Sequence, residues 1–320
     1  MDRRTALHAL ALPALAAAAS PAWAQNQPIR IIIPYAAGGI TDAMARALGA
    51  AMQGPLRRTV IVENRPGAAG LIGTKYVMAA NPDGDTLLFH NSGMIALPLL
   101  QIEPAYDPIK DFEPVSVVGN SSNFLMVHES VPARNVSELI AYVRTLPNGI
   151  ECANSGTNSG GHIAALLLAK LGKIKIIHVP YKGSAEVTTG LIRGDVKMQI
   201  SVTTDALNPH IKSGKIRILG VATKQRSPLA PDVPTIAETL PGYSLEGWYG
   251  IFAPAHTPLA KRQALSDALK VALADPAVKT RFDNLYMEVV HHGPKEFAQI
   301  SFDSVDYFKR MIAELNLQKS

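Results

Sequence analysis

The stretch 29–53, IRIIIPYAAGGITDAMARALGAAMQ, decides the fold. Residues 28–34 form a short, β-branched apolar run, which predicts a buried strand. The glycine-containing segment 36–39 ends this run. Residues 41–42 can cap a helix that continues to about Gln53, because its apolar residues recur at helical spacing. A strand, a glycine turn and a helix in this order are typical of an α/β fold.

The same alternation continues along the chain. In the first hundred residues a helix at 71–80 lies between strands at 59–63 and 86–90. A second alternation is predicted from strands at 150–153, 174–179 and 196–201 and helices at 161–171 and 186–192. We place a crossing between units in the strands 113–118 and 123–127, and a returning strand at 248–253. Helices at 259–274, 276–284 and 294–315 close the chain. The predicted α/β protein has one domain at 25–122 and 247–320 and another at 123–246.

Residues 1–24 have the pattern of an export signal. Arg3 and Arg4 form a positive segment, and the apolar segment 7–19 is shorter than the roughly 20 residues that span a bilayer. Ala22-Trp23-Ala24 predicts cleavage after Ala24 and a periplasmic protein that is not embedded in a membrane. A membrane anchor is the alternative interpretation, and the Sec and Tat export routes both stay open.

Charge and cysteine content exclude several classes of protein. The formal net charge is +5, and Lys and Arg form no dense block, which argues against a nucleic-acid partner. Cys152 is the single cysteine, so no intrachain disulfide or Cys-rich metal site is expected.

His291 and His292 are adjacent on a strand and point to opposite faces, which disfavours metal binding there. The spacing of Gly67, Gly70 and the next glycine does not fit a dinucleotide loop, and we predict no cofactor.

Candidate ligand-binding residues lie in loops that follow predicted strands. Glycines let the backbone approach a ligand, and the free N–H groups at a helix start attract an anion. Ligands of open α/β sheets bind at the carboxyl ends of strands, so the ligand is expected between the two units. The candidates in the first domain are Tyr35, Ala37, Gly38, Gly39, Thr41, Asp42, Gly67, Ala68, Ala69, Asn91 and Ser92. Those in the second domain are Ser155, Gly156, Thr157, Ser159, His162, Tyr181, Lys182, Gly183, Thr204 and Asp205.

The sequence favours binding over catalysis. It contains no G-x-S-x-G elbow, and no carboxylate pair or nucleophile with a base emerges from it. His162 is a candidate base, although a packing or helix-start role is the stronger interpretation. Lys182 has two open interpretations, as a partner for an anionic ligand or as a solvated lysine.

Six motifs in order make the sequence resemble a known family. They are IRIIIPYAAGGITDAMAR (29–46), VENRPGAAGLIGT (62–74), YDPIKDFEPVSVVG (106–119), SGTNSGGHIAA (155–165), HVPYKGSAEVTTGLIRGDVKMQI (178–200) and APDVPTIAETLPGYSLEGWYGIFAPAHTP (230–258). Together they resemble the Bug family of extracytoplasmic solute receptors, the binding components of tripartite tricarboxylate transporters. The resemblance covers essentially the whole mature chain.

The resemblance implies a two-domain periplasmic-binding-protein fold of the type II, Venus-flytrap kind, with a small carboxylate in the cleft and crossover segments as the hinge. It implies that the loops 36–41 and 67–69 grip one carboxylate, mainly through backbone N–H groups with the help of ordered waters. It also implies that 155–162, 181–183 and Asp205 close from the other domain.

The chain departs from the family pattern at two places. Ala37 stands where the family more often has Pro. Glu186 and Val187 stand where it usually has Ala-Pro, and we expect Glu186 to cap a turn or face solvent. A glutamate that faced the cleft would disfavour a second carboxylate, so these departures leave the ligand's distal group open.

The expected function is that of a periplasmic, monomeric solute-binding protein that passes a small carboxylate to membrane transporter subunits. Dicarboxylates, tricarboxylates, aromatic acids and amino acids all fit a carboxylate-gripping loop. A periplasmic sensor subunit with the same ligand is the main alternative, and a secreted hydrolase is a weaker one. A cytoplasmic regulator is disfavoured by the export signal and by the lack of a helix-turn-helix segment.

Overall fold

The computed structural model describes residues 27–157, 159–317 and 319. The predicted export signal and its cleavage site lie outside these residues. The described chain forms two mixed β-sheets that are covered by helices, which confirms the predicted α/β class. Among the described residues, no helix combines the length and the apolar character that crossing a bilayer requires.

The strands have short, defined bounds along the described residues. They are β1 (Ile29–Ile33), β2 (Val60–Asn64), β3 (Thr86–Asn91), β4 (Phe112–Ser121), β5 (Phe124–His128), β6 (Ile150–Asn154), β7 (Ile176–Pro180), β8 (Met198–Ser201), β9 (Ile216–Val221), β10 (Gly247–Pro254) and β11 (Met287–His292).

The helices of the same residues alternate with these strands. They are α1 (Ile40–Leu56), α2 (Leu71–Met78), α3 (Gly93–Leu99), α4 (Val136–Thr145), α5 (Gly160–Gly172), α6 (Ser184–Arg193), α7 (Asn208–Lys212), α8 (Leu259–Leu273), α9 (Pro276–Asn284) and α10 (Pro294–Leu315).

The parallel strands of the two sheets have the same topology. The first sheet has the order β11-β4-β10-β3-β1-β2, and the second has the order β7-β6-β8-β5-β9. In the first, β1 lies parallel between β2 and β3; in the second, β6 lies parallel between β7 and β8. The chain leaves each central strand toward one side and returns on the other. The carboxyl ends of β1 and β6 are therefore topological switch points, where ligands of such sheets bind.

Both faces of the first sheet are buried, which explains the continuous apolar run of β1. Ile31 and Ile33 belong to the apolar cluster that also contains residues of α1, α8 and α9. Ile32 points to the opposite face and packs in the cluster with residues of α2, α3 and α10. In the second sheet, α4 and α5 cover one face and α6 covers the other. We call the first sheet with its helices the first unit, and the second sheet with its helices the second unit.

Among the described residues, two of the connections between strands cross from one unit to the other. The chain passes from β4 to β5 after Ser121 and returns in β10 at Gly247. The strands of the first sheet lie within 25–122 and 247–320, and those of the second lie within 123–246. We keep these limits as the proposed domain boundaries.

The last helix, α10, contacts both units. Phe297 and Phe308 pack in the core of the first unit, whereas Met311 packs in the core of the second. The Tyr307 hydroxyl donates to the Ser244 carbonyl at 2.9 Å, which adds a polar contact with the segment that leads back to the first unit. The C-terminal part of α10 therefore lies on the second unit although the helix starts on the first.

Some elements differ from the sequence predictions. The short helices α3 and α7 were not predicted, because each is too brief for helical periodicity and each contains a proline, Pro98 or Pro209. Helix α6 begins at Ser184 rather than at Glu186. The Glu186 carboxylate accepts the Lys182 N–H at 3.1 Å, which ties the preceding loop to the first turn.

Candidate functional site

The loop at the switch point of the first sheet approaches the loop after β7 in the second unit. The N-terminus of α1 follows β1 in the first unit, and the N-terminus of α6 follows β7 in the second. A Cβ placed on Gly39 would lie 4.0 Å from the Ser184 Oγ. Both helix starts therefore border the cleft between the units, each with N–H groups that have no partner within its helix. This arrangement suits an anion.

The loop between β1 and α1 is held in a glycine-dependent turn. Gly38 has a φ of +81°, a value that side-chain-bearing residues rarely adopt. Its N–H donates to the Asp42 Oδ2 at 3.0 Å. Ala37 and Gly38 are exposed, and Gly39 is half-buried, whereas Thr41 and Asp42 are buried. The loop thus offers its backbone rather than its side chains to the cleft.

Asp42 has partners within the protein. Arg46 forms an ion pair with its Oδ1 at 2.9 Å. Burial alone would raise the pKa of Asp42, but hydrogen bonds from Arg46, the Gly38 N–H and Asn64 together hold that pKa below its ordinary value. The carboxylate stays charged and holds the loop.

The loop after β2 contains four consecutive residues with positive φ. The values are +132° for Gly67, +47° for Ala68, +55° for Ala69 and +100° for Gly70. Two alanines in the left-handed region are uncommon and cost conformational energy, which persists only where the surroundings hold the backbone in place. Ala68 and Ala69 are exposed at the start of a helical turn, so their N–H groups are placed as donors.

A cluster of polar side chains lies beside these loops. The His90 Nδ1 lies 2.9 Å from the Asn91 carbonyl, and its Nε2 lies 3.4 Å from the Tyr35 hydroxyl. Since a carbonyl only accepts, Nδ1 carries the proton and Nε2 accepts from Tyr35. Tyr249 is buried and hydrogen bonds with the side chains of Asn91 and Thr41.

Burial sets the ionisation of this cluster. It lowers the pKa of His90 to about 4 and raises the pKa of Tyr35, so both are neutral at pH 7. Sequence reasoning missed His90 and Tyr249. His90 could have been predicted, because it precedes Asn91 at the carboxyl end of a strand, where ligands of such sheets bind. Tyr249 could not, because only the fold brings it to the cluster. Ser92 is half-buried, and its N–H donates to the Trp248 carbonyl at 2.9 Å.

In the second unit, the loop after β6 is organised by Asn154. This buried residue accepts the Gly156 N–H at 3.1 Å through its side chain. Ser159 caps α5 by accepting the His162 N–H at 3.3 Å. Ser155 and Thr157 are exposed. The Ser159 hydroxyl thus has a structural partner, while the first part of the loop is open to solvent.

His162 packs against a second histidine. Its ring lies 4.6 Å from that of His178, nearly perpendicular to it. Burial lowers the pKa of both residues, and the proximity of His178 lowers that of His162 further. Both rings are therefore neutral at pH 7.

The three candidate residues in the loop after β7 lie in different surroundings. Tyr181 packs against α6, since a Cβ on Gly190 would lie 2.6 Å from its hydroxyl oxygen. The side chain of Lys182 is exposed, and Gly183 is half-buried directly before α6. The Ser184 hydroxyl lies 4.0 Å from a Cβ placed on Gly39, whereas the Tyr181 hydroxyl lies beside Gly190 of α6.

Thr204 and Asp205 follow β8 and contact other parts of the protein. The Thr204 Oγ1 lies 3.5 Å from the Thr188 Oγ1 on α6. The Asp205 Oδ2 pairs with Arg281 of α9 at 2.7 Å, which links the second unit to the first. Within the described part of the chain, no three His, Cys, Asp or Glu residues are grouped as a metal ion would require. The cleft is built from glycine loops, helix starts, hydroxyls and amides.

Comparisons with known proteins agree with this architecture. The family model described as the tripartite tricarboxylate transporter family receptor matches residues 44–317. The periplasmic binding protein BugD has 31% sequence identity and a TM-score of 0.83, over 92% of this chain and 99% of that one. Rpa4515 of R. palustris with adipate has 29% identity and a TM-score of 0.84, over 91% and 98%. MatC of Rhodopseudomonas palustris with bound malate has 30% identity and a TM-score of 0.80, over 89% and 98%.

These similarities confirm the two-domain periplasmic-binding-protein fold and the resemblance to Bug receptors. They also confirm a solute-binding role in place of an enzymatic one. The family model covers most of the chain, from the second turn of α1 through the loop after β2 and the strand-end loops of the second unit. The chain belongs to the family of tripartite tricarboxylate transporter receptors.

Proposed function

We propose that this receptor captures a small carboxylate in the cleft and delivers it to the membrane subunits of a tripartite transporter. One observation carries the proposal: the strained loop 67–70 and the start of α1 present backbone N–H groups on one side of the cleft. The start of α6 lies on the other side, with the Ser184 Oγ 4.0 Å from a Cβ placed on Gly39. Because the loops already hold these N–H groups in place, they can donate to a carboxylate without a change in the backbone.

The carboxylate bound by these loops is proposed to carry its distal part toward the second unit. The proposed contacts there are residues of the loops after β6 and β7 that are exposed or half-buried. They are Ser155, Gly156, Thr157, Lys182 and Gly183. Adipate and malate accompany two of the similar structures. Both are dicarboxylates, which supports a test that starts with this class.

Thermal unfolding of residues 25–320 against a panel of carboxylates tests the proposal. The panel contains malate, adipate, citrate, benzoate and aspartate, with the matching amides as controls. An acid present at about 100 times its Kd adds roughly 2.7 kcal/mol to the free energy of unfolding. This raises the melting temperature by several degrees. If the protein is free of co-purified solute by denaturing mass spectrometry and no acid raises its melting temperature, the proposal is wrong.

Location and delivery form the second part of the proposal. The family supports export to the periplasm, and the N-terminal pattern supports cleavage after Ala24. N-terminal sequencing of the protein recovered from a periplasmic fraction tests this, with Gln25 as the expected first residue. Uptake of a labelled panel acid should be lost when the receptor gene is deleted and restored by its expression. Unchanged uptake would contradict a role in transport.

A further inference from the structure

The loop between β1 and α1 is tied to a single cation, Arg46. The guanidinium lies 2.9 Å from the Asp42 Oδ1 and donates to the Asn64 Oδ1 at 2.8 Å. Each of these partners holds the loop in turn. The Asp42 Oδ2 accepts the Gly38 N–H at 3.0 Å, and the Asn64 Nδ2 donates to the Tyr35 carbonyl at 3.2 Å.

These contacts join three element ends. Asp42 and Arg46 are four residues apart and share one face of α1. Asn64 is the last residue of β2 and pairs in register with Ile33, the last residue of β1. One side chain in the second turn of α1 therefore fixes both ends of the loop that precedes the helix.

The same cation also balances a charge. Asp42 is buried in the first turn of α1, where the proposed carboxylate would bind. Two carboxylates near one helix start repel each other, and the repulsion is stronger where water is scarce. The groups that contact the Asp42 side chain are the Arg46 guanidinium, the Gly38 N–H and the Asn64 amide. Only Arg46 among them carries a positive charge.

We propose that Arg46 is a positioning residue for solute binding. It holds the Gly38 N–H and the Tyr35 carbonyl through Asp42 and Asn64, and it neutralises Asp42 so that a solute carboxylate can approach the same helix start. The inference rests on the proposed carboxylate site, and Arg46 acts on the solute only through these partners.

Three variants test the proposal by calorimetric titration. The probes are malate, adipate and the panel acid that raises the melting temperature most. Arg46→Gln should weaken binding at least tenfold, because Asp42 keeps its charge without a counter-charge. Adding Asp42→Asn should restore affinity at least threefold, since the Asn oxygen still accepts the Gly38 N–H and carries no charge. A purely structural role of Arg46 predicts no such restoration.

Arg226→Gln is the matched control. The Arg226 side chain is 46% exposed, close to the 51% of Arg46, and it pairs with Glu238 in the second unit. It should change affinity less than twofold. If Arg46→Gln behaves like this control, or if Asp42→Asn restores nothing, the proposal is overturned.

A measurement without solute separates this proposal from the proposed function. In the solute-free protein, Arg46→Gln should raise the pKa of Asp42 and speed hydrogen exchange of the Gly38 amide at least fivefold relative to Arg226→Gln. Both are read by NMR. If no panel acid binds, the proposed function fails, but these readouts still decide on Arg46. Unchanged exchange at Gly38 would overturn its positioning role.

Discussion

Gly39 is the residue at which a single added charge has the sharpest effect. Its φ of −82° is open to any residue, and a Cβ there would meet nothing closer than 3.7 Å. Asp is also favoured at a helix N-cap, so Gly39→Asp should fold normally. Two charges 4 Å apart near a protein surface repel by about 4 kcal/mol, so we expect carboxylate affinity to fall at least about 100-fold.

Gly54→Asp is the control for this prediction. Gly54 is exposed on the same helix, and a Cβ there would have open space around it. Calorimetry with the panel acids should show wild-type affinity for this control. Unchanged affinity in Gly39→Asp would exclude the start of α1 as the anion site.

His90 makes stability depend on pH. Its pKa falls from the ordinary 6.5 to about 4 on burial, so the unfolded chain binds a proton more readily between these values. The free energy of unfolding should therefore fall as the pH drops from 6.5 toward 4, by up to about 3 kcal/mol at 1.36 kcal/mol per pKa unit. Urea unfolding across this range measures the slope. His90→Gln should make the slope shallower, since the lowered pKa values of His162 and His178 still contribute to it. An identical slope in this variant would contradict the assignment.

At the scale of elements, the loop 67–70 stores backbone strain that its packing sustains. A Cβ on Gly67 would lie 2.4 Å from the Ile72 Cδ1, in addition to the unfavourable φ of +132°. Because the exposed Ile72 side chain can move aside, the unfavourable φ dominates, and Gly67→Ala should destabilise the protein by roughly 1–3 kcal/mol and displace the N–H groups of Ala68 and Ala69. Chemical unfolding and panel-acid affinity together measure both effects.

The control for this loop is Gly242→Ala. Gly242 also has a positive φ, +90°, but a Cβ there would meet no atom within 4 Å. Gly242→Ala should lower the free energy of unfolding only by the cost of placing a side chain at positive φ, about 1 kcal/mol, and leave affinity unchanged. Equal effects of the two variants on affinity would show that the backbone of the loop 67–70 does not position the anion donors.

At the scale of the whole molecule, Asp205 and Arg281 connect the two units. Their side chains are 53% and 36% exposed, so the pair is worth no more than about 1 kcal/mol. If its contribution is to hold the units together, Asp205→Asn and Arg281→Gln should weaken binding equally, by at most about fivefold, and the double variant should be no weaker. Added salt should remove the difference from wild type.

A different outcome would assign Asp205 another role. A much larger loss in Asp205→Asn than in Arg281→Gln, measured by the same titrations, would mean that this carboxylate contacts the solute directly. The double-mutant cycle separates the two roles because only an interaction between the two residues makes their effects non-additive.

The sequence predicts the architecture better than it predicts the site. The apolar run of β1 and the helical periodicity of α10 are visible within single segments of the sequence, so both elements could be predicted. The predicted helix 294–315 has the observed bounds. The left-handed Ala68 and Ala69 could not be predicted, because alanine disfavours that conformation and only packing holds it.

Long-range contacts set the remaining roles. Asp205 was a candidate for ligand binding, and its pairing with Arg281 joins residues 76 positions apart. Tyr249 reaches Asn91 and Thr41 only because β10 lies beside β3. Neither contact leaves a pattern within a single segment of the sequence.

The path of α10 has a practical consequence. This helix leaves the first unit at Phe308 and enters the second at Met311, and the exposed Lys309 lies between them. Cys152 is fully buried, and burial raises the pKa of its thiol to about 12, so it is inert to alkylating dyes. Lys309→Cys would thus accept one fluorophore at the junction without removal of the native cysteine. Rotation of one unit against the other would change the dye's surroundings, and the receptor would become an optical sensor that reports its own solute.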